Sequence, residues 1–263
     1  MIKRELKANL KSFIIWTSIL VVLYAVVIIL YPHIVPADSM DAMKEMMQIF
    51  PEEILKAFNM DIDSMSSAYG WLSSEGFTLM LLATGVYASL MGASIVLKEE
   101  SDKTIEYLGM LPVKRSQILT NKIIVALVYI VGLVLLVGFV DYLALLTGEF
   151  NSHLQYWLLS LTPLLIALPF FAINLFISMF LHKTKATIGI SLGVVFISYV
   201  INVLSLLSDK VEFLKYFSIH TLADTMNVVK DTKINPIMVI ISLALTVLFI
   251  GLSYIRYNKK ELV

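Results

Sequence analysis

Long apolar runs and short polar breaks alternate along the chain. Six runs stand out, at about 12–31, 77–97, 123–147, 157–181, 186–207 and 236–255. A helix rises about 1.5 Å per residue, so about 20 apolar residues cross roughly 30 Å of hydrocarbon. Each run is long enough. A membrane β-barrel would instead need alternating segments of about ten residues, and none is present. Helices also satisfy their own backbone N–H and C=O groups, as lipid requires. The pattern predicts an all-α integral membrane protein with six transmembrane helices in a single domain, 1–263. Only His182-Lys183-Thr184-Lys185 separates the fourth and fifth runs, which therefore form a tight antiparallel hairpin.

Basic residues orient these spans. Lys3, Arg4, Lys7, Lys11, Lys98, Lys103, Lys114, Arg115, Lys122, Lys183, Lys185, Arg256, Lys259 and Lys260 fall on one side, which is 14 of the 20 Lys and Arg. Lys44, Lys56, Lys210, Lys215, Lys230 and Lys233 fall on the other. The richer side is expected to be cytoplasmic, with both chain ends there and the protein in the cell membrane. The first run is too long for a signal peptide, and no small-residue cleavage site closes it.

Composition narrows the chemistry. The chain is 59% hydrophobic and 15% charged, against roughly 45–50% and 25% in soluble domains. Net charge is zero, so no bulk field points to nucleic acid. Cysteine is absent, which excludes disulfides and thiolate chemistry. There is no phosphate-binding G-x-x-x-x-G-K-[ST] loop and no H-E-x-x-H. His33, His153, His182 and His220 are scattered, without the i, i+3 or i+4 pairing of a helical metal site. Glu99-Glu100 lacks the following arginine of a protease glutamate pair, since Thr104 stands there. The chain is expected to be no enzyme and to bind no cofactor or metal itself.

Outside the spans, Ile2, Leu6, Leu10 and Phe13 share one helical face while the N-terminal cations lie elsewhere. This predicts an amphipathic interfacial helix against lipid headgroups. The outer segment 32–76 carries Met43, Met46, Met47, Phe50, Ile54 and Phe58 at helical spacing, broken at Pro51. That pattern fits a helix pair on the membrane surface or a Met-rich lid. The outer segment 208–235 is apolar enough at Phe213, Tyr216, Phe217 and Leu222 to dip back toward the membrane. Gly189 and Gly193 form a close-packing motif in the fifth run, for a dimer seam or for a neighbouring helix of the same chain.

The loop 98–122 carries the most information. Ser101 or Asp102 caps a helix start, Ile105, Leu108 and Leu111 follow at helical spacing, and Pro112 ends the helix. Such a short amphipathic helix fits docking in a partner's groove or packing back on its own bundle. Its residues resemble the signature of the ABC type-2 permease family, the membrane subunits of ATP-driven exporters. The matching positions are Glu100, Thr104, Leu108, Pro112 and Arg115, with Lys122 opening the third span. The basic N-terminal helix, the six spans, the short hairpin and the basic tail extend the resemblance over most of the chain.

The resemblance implies paired permeases, identical or similar, on two cytoplasmic ABC ATPase subunits. The helix at about 101–111 is then a cytoplasmic coupling helix, with Glu100, Thr104, Ile105, Leu108, Pro112 and Arg115 as coupling residues. ATP and Mg would sit on the partner ATPase. Candidates for a substrate path are Glu75 and Asp141, both expected near the interface where charge costs little. Asn174 and Asn202 are deeper and better suited to interhelical hydrogen bonds. An apolar bundle suits lipophilic or peptide-like cargo. The alternatives are a secondary transporter or channel without an ATPase, favoured by buried charges and an inverted repeat, and a membrane-bound sensor or scaffold.

Overall fold

The computed structural model describes residues 2–34, 49–50, 55, 76–101, 113–146 and 152–260. Its helices are α1 (Ile2–Ile34), α2 (Phe77–Ser94), α3 (Leu97–Ser101), α4 (Arg115–Leu145), α5 (His153–Ser178), α6 (Thr184–Leu207), α7 (Thr225–Asp231) and α8 (Pro236–Lys259). Two 3₁₀ segments, Asp209–Phe217 and His220–Leu222, join α6 to α7. Among the described residues six helices are long and apolar enough to cross a membrane: α1, α2, α4, α5, α6 and α8.

Two boundaries differ from the sequence expectation. The N-terminal amphipathic helix is no separate element, because α1 runs unbroken for 33 residues. No glycine or proline interrupts residues 2–31, so the helix propagates straight into the first span. At about 50 Å it is longer than a bilayer core is thick. Similarly, α4 begins at Arg115 rather than near 123. The Gln117 side chain accepts the Lys114 N–H at 3.2 Å and fixes that start.

Burial divides the bundle. In their most apolar stretches α2, α4 and α5 bury 61, 50 and 67% of residues, while α1, α6 and α8 bury 11, 22 and 17%. The first three form the core and the other three present aliphatic faces, such as Val22, Ile197 and Val247, to the surroundings. Lipid accepts such faces without penalty, so close packing rather than burial from water holds the bundle. Gly92 of α2 shows how close. A Cβ there would lie 2.4 Å from the Phe171 carbonyl oxygen and 2.9 Å from the Leu175 nitrogen of α5.

The two prolines inside α5 explain two side-chain bonds. Pro163 and Pro169 lack an N–H, which frees the carbonyls of Leu159 and Leu165 one turn earlier. Thr162 Oγ1 donates to the first at 2.7 Å. Ser242 Oγ of α8 donates to the second at 2.7 Å. Each break in the helix ladder is thus repaired, as the membrane interior demands.

The segment after α6 does turn back into the bundle. Ser218 Oγ donates to the Ser198 carbonyl at 2.7 Å, and Ser198 Oγ accepts the Ile219 N–H at 2.9 Å. Ser198 is nine residues before the end of α6, about 13 Å along the helix. A Cβ added at Gly189 or Gly193 would meet nothing within 4 Å among the described residues. The same-chain alternative for that motif therefore finds no support. The proposed surface pair or lid at 41–58 lies outside the described residues apart from Ile49, Phe50 and Leu55.

Candidate functional site

Both chain ends meet at one face of the bundle, where the apolar core gives way to a cluster of buried charges. Lys122 comes from the second turn of α4, between the buried Leu119 and Ile123, and is 1% exposed. Its ammonium lies 2.7 Å from Glu99 Oε2 and 3.2 Å from Glu5 Oε1. It also donates to the Ile95 carbonyl at 2.8 Å, just past the end of α2. A helix C-terminus carries unsatisfied carbonyls and a partial negative charge, which a cation neutralises. Arg4 completes this half, 3.0 Å from Glu99 Oε1.

The second half repeats the arrangement. Lys260, 2% exposed, follows the last residue of α8. Its ammonium sits 2.8 Å from Glu100 Oε1 in an ion pair that lacks hydrogen-bond alignment. It donates to the Leu181 carbonyl at 3.1 Å, just past the end of α5, and to the carbonyl of Ser178, the last residue of α5, at 3.5 Å. His182 Nδ1 approaches Glu100 Oε2 at 3.6 Å. Arg115, at the start of α4, donates to the Lys260 carbonyl at 3.0 Å.

Charges removed from water at this depth are stable only when paired and hydrogen-bonded. Burial pushes the Glu99 carboxyl above the ordinary glutamate range, and the neighbouring Lys122 ammonium works against that shift. The N-terminal half of α1 is fastened to the same place. The Tyr129 hydroxyl of α4 donates to the Leu6 carbonyl, and the Tyr129 ring packs tilted against Phe13 with centroids 4.8 Å apart.

Of the six loop residues, the structure places two. Glu100 and Arg115 flank the segment 102–112 and are bridged by Lys260. Thr104, Ile105, Leu108 and Pro112 lie outside the described residues. Leu97–Ser101 is already helical before the start expected at Ser101 or Asp102. Sequence reasoning missed Glu5, Glu99 and Lys260 as a unit. Lys122 gave the one usable signal, a lysine with apolar residues one turn to either side, at Ile118 and Ala126.

The other candidates do not converge. Asn174 Nδ2 donates to Ser89 Oγ at 3.0 Å and to the Phe170 carbonyl at 2.8 Å, the interhelical bond expected of it. Asn202 Oδ1 accepts from Thr221 at 3.0 Å. Glu75 lies outside the described residues. Asp141 is near the far end of α4, as expected, but it faces inward and is fully buried rather than solvated at an interface. A cavity of about 830 Å³ opens between α5, α7 and the start of α8, lined by Leu158, Thr162, Leu222, Asp224, Val228 and Met238 among others. Asp141, Asn174 and Asn202 do not line it. Among the described residues no group of three or more His, Asp or Glu side chains is placed to hold a metal ion.

No curated protein matches the chain significantly. The family described as ABC-2 family transporter protein matches residues 1–262. With six membrane-length helices and that match over nearly its whole length, the chain belongs to the ABC-2 transporter family and is a multi-pass permease subunit of an ABC transporter.

Proposed function

We propose that the chain is the membrane-spanning subunit of an ATP-driven exporter, and that its segment 102–112 docks on a separate cytoplasmic ATPase. The observation that carries this reading is the bridge from Glu100 through Lys260 to Arg115. It ties both ends of the docking segment to the ends of α4, α5 and α8. A displacement of the segment is therefore delivered to three spans at once. ATP binding by the partner, with Mg, supplies the force, and the bundle responds as a packed two-state body. A second permease, identical or similar, completes the translocation path, and the unpacked Gly189 and Gly193 suit its seam. The apolar bundle suits lipophilic or peptide-like cargo moving outward.

The test is Leu108→Asp, assayed by co-purification with a co-expressed candidate ABC ATPase and by ATP hydrolysis of the reconstituted pair. A Leu side chain seated in a partner groove contributes about 1.5–3 kcal/mol, and a carboxylate there is costly. The variant is expected to insert normally and to lose the partner. Wild-type co-purification and hydrolysis would refute the docking assignment.

A further inference from the structure

Each acid of the charge cluster has a cation beside it, but one acid elsewhere has none among the described residues. Asp141 lies on α4 at the end remote from the chain termini. It is 0% exposed, and neither carboxylate oxygen has a hydrogen-bond partner among the described residues. Val137, Gly138 and Leu145, one turn to either side on the same face, are buried too. α1 and α5, which pack against α4, carry buried phenols. Tyr24 of α1 is 1% exposed, its hydroxyl is unpartnered, and it interacts electrostatically with Asp141 and with Tyr156 of α5. The Tyr156 hydroxyl is committed to the Gly138 carbonyl at 2.7 Å. Tyr142, next in sequence, bonds His153 Nδ1 at 3.0 Å. No Lys, Arg or His of the described residues pairs with Asp141.

A carboxylate offers about four acceptor sites and one negative charge. Buried with Val137, Gly138 and Leu145 on one face of α4, it is sustained only by a positive charge at contact distance. The chain's described residues supply none. We propose that Asp141, with the Tyr24 hydroxyl, is a binding site for a monovalent cation taken from solution. A proton and an alkali-metal ion share that chemistry, and the two sources are separable by experiment. The site is buried between α1, α4 and α5, so loading and release require α1 to move away from α4. This inference does not rest on the ATPase partner.

The experiment is the melting temperature of the purified full chain and of Asp141→Asn. It is measured from pH 6 to pH 9 in N-methylglucamine chloride, and again at pH 9 with sodium or potassium chloride added. A cation bound only by the folded state stabilises it in proportion to occupancy. If the cation is a proton, the unfolded carboxyl releases it at these pH values, so wild-type stability falls as pH rises. If it is an alkali ion, the salt raises the wild-type melting temperature at pH 9. In either case Asp141→Asn loses the response and Tyr24→Phe weakens it. Equal responses of wild type and Asp141→Asn to pH and to both salts would overturn the proposal. Should Asp141→Asn fail to fold, carbodiimide labelling of the wild type decides. An adduct at Asp141 that declines with rising pH or added cation supports the site, and its absence or indifference to both overturns it.

Discussion

Glu99 and Glu100 are consecutive in sequence, yet they hold different lysines that close different helices. Glu99 pairs with Lys122, which caps the end of α2, and Glu100 pairs with Lys260, which caps the end of α5. Successive residues of a helix project about 100° apart, so one short helix, α3, reaches two sides of the bundle. The residue after α3 opens the segment proposed to meet the ATPase. The pair therefore joins that segment to the core on one side and to the C-terminal helix on the other.

Removing Lys122 should be the most damaging single change in the cluster. Lys122→Met leaves Glu5 and Glu99 buried without their shared cation and uncaps Ile95. Breaking a buried pair in this way costs about 3–5 kcal/mol. Glu99→Gln should cost much less, because burial already weakens the preference of that carboxyl for its charged form. Thermal unfolding in detergent compares the two, and equal losses would mean that Lys122 is not the hub.

Ser242 should matter only because Pro169 does. Ser242→Ala strands the Leu165 carbonyl, at a cost of about 1 kcal/mol. Pro169→Ala restores the helical N–H that this carbonyl lacks. In the Pro169→Ala background Ser242→Ala is expected to be close to neutral. Additive effects in the double variant would contradict the repair account.

The face bearing the chain ends should be cytoplasmic. The chain has no native cysteine, so single cysteines report cleanly. Lys233→Cys should react with an impermeant maleimide in intact cells, and Lys114→Cys only after the membrane is opened. Both positions are exposed in the structure. The reverse pattern would invert the topology drawn from the basic residues.

The fold was legible because its signal is long and local. Six apolar runs of membrane length leave few alternatives, and the prolines and Lys/Arg asymmetry follow from residues taken one at a time. Boundaries were less legible where polarity and helicity part company. Residues 115–122 are polar yet helical, and residues 2–11 are amphipathic yet continuous with the first span. The charge cluster was hardest to read. Glu5, Glu99, Lys122 and Lys260 are up to 255 positions apart, and only packing reveals that α1 and α8 end beside α3. Glu100 and Arg115 were visible as a pair of motif positions, but their connection runs through the Lys260 carbonyl, which no side-chain pattern encodes. Asp141 was visible as an acid near the end of a span, but its inward direction depends on how α4 rotates against α1 and α5.

In the proposed mechanism the Glu100–Lys260 link passes force between the docking segment and the spans. ATP hydrolysis by the partner ATPase, stimulated by this chain in vesicles, measures it when the two residues are altered singly and together. Glu100→Gln and Lys260→Met should each fold, retain the ATPase and lose about tenfold in stimulated hydrolysis, equivalent to about 1.4 kcal/mol of coupling. The double variant should lose no more than either single one, since the same link is broken once. Wild-type stimulation in both single variants, with the ATPase bound, would contradict the account.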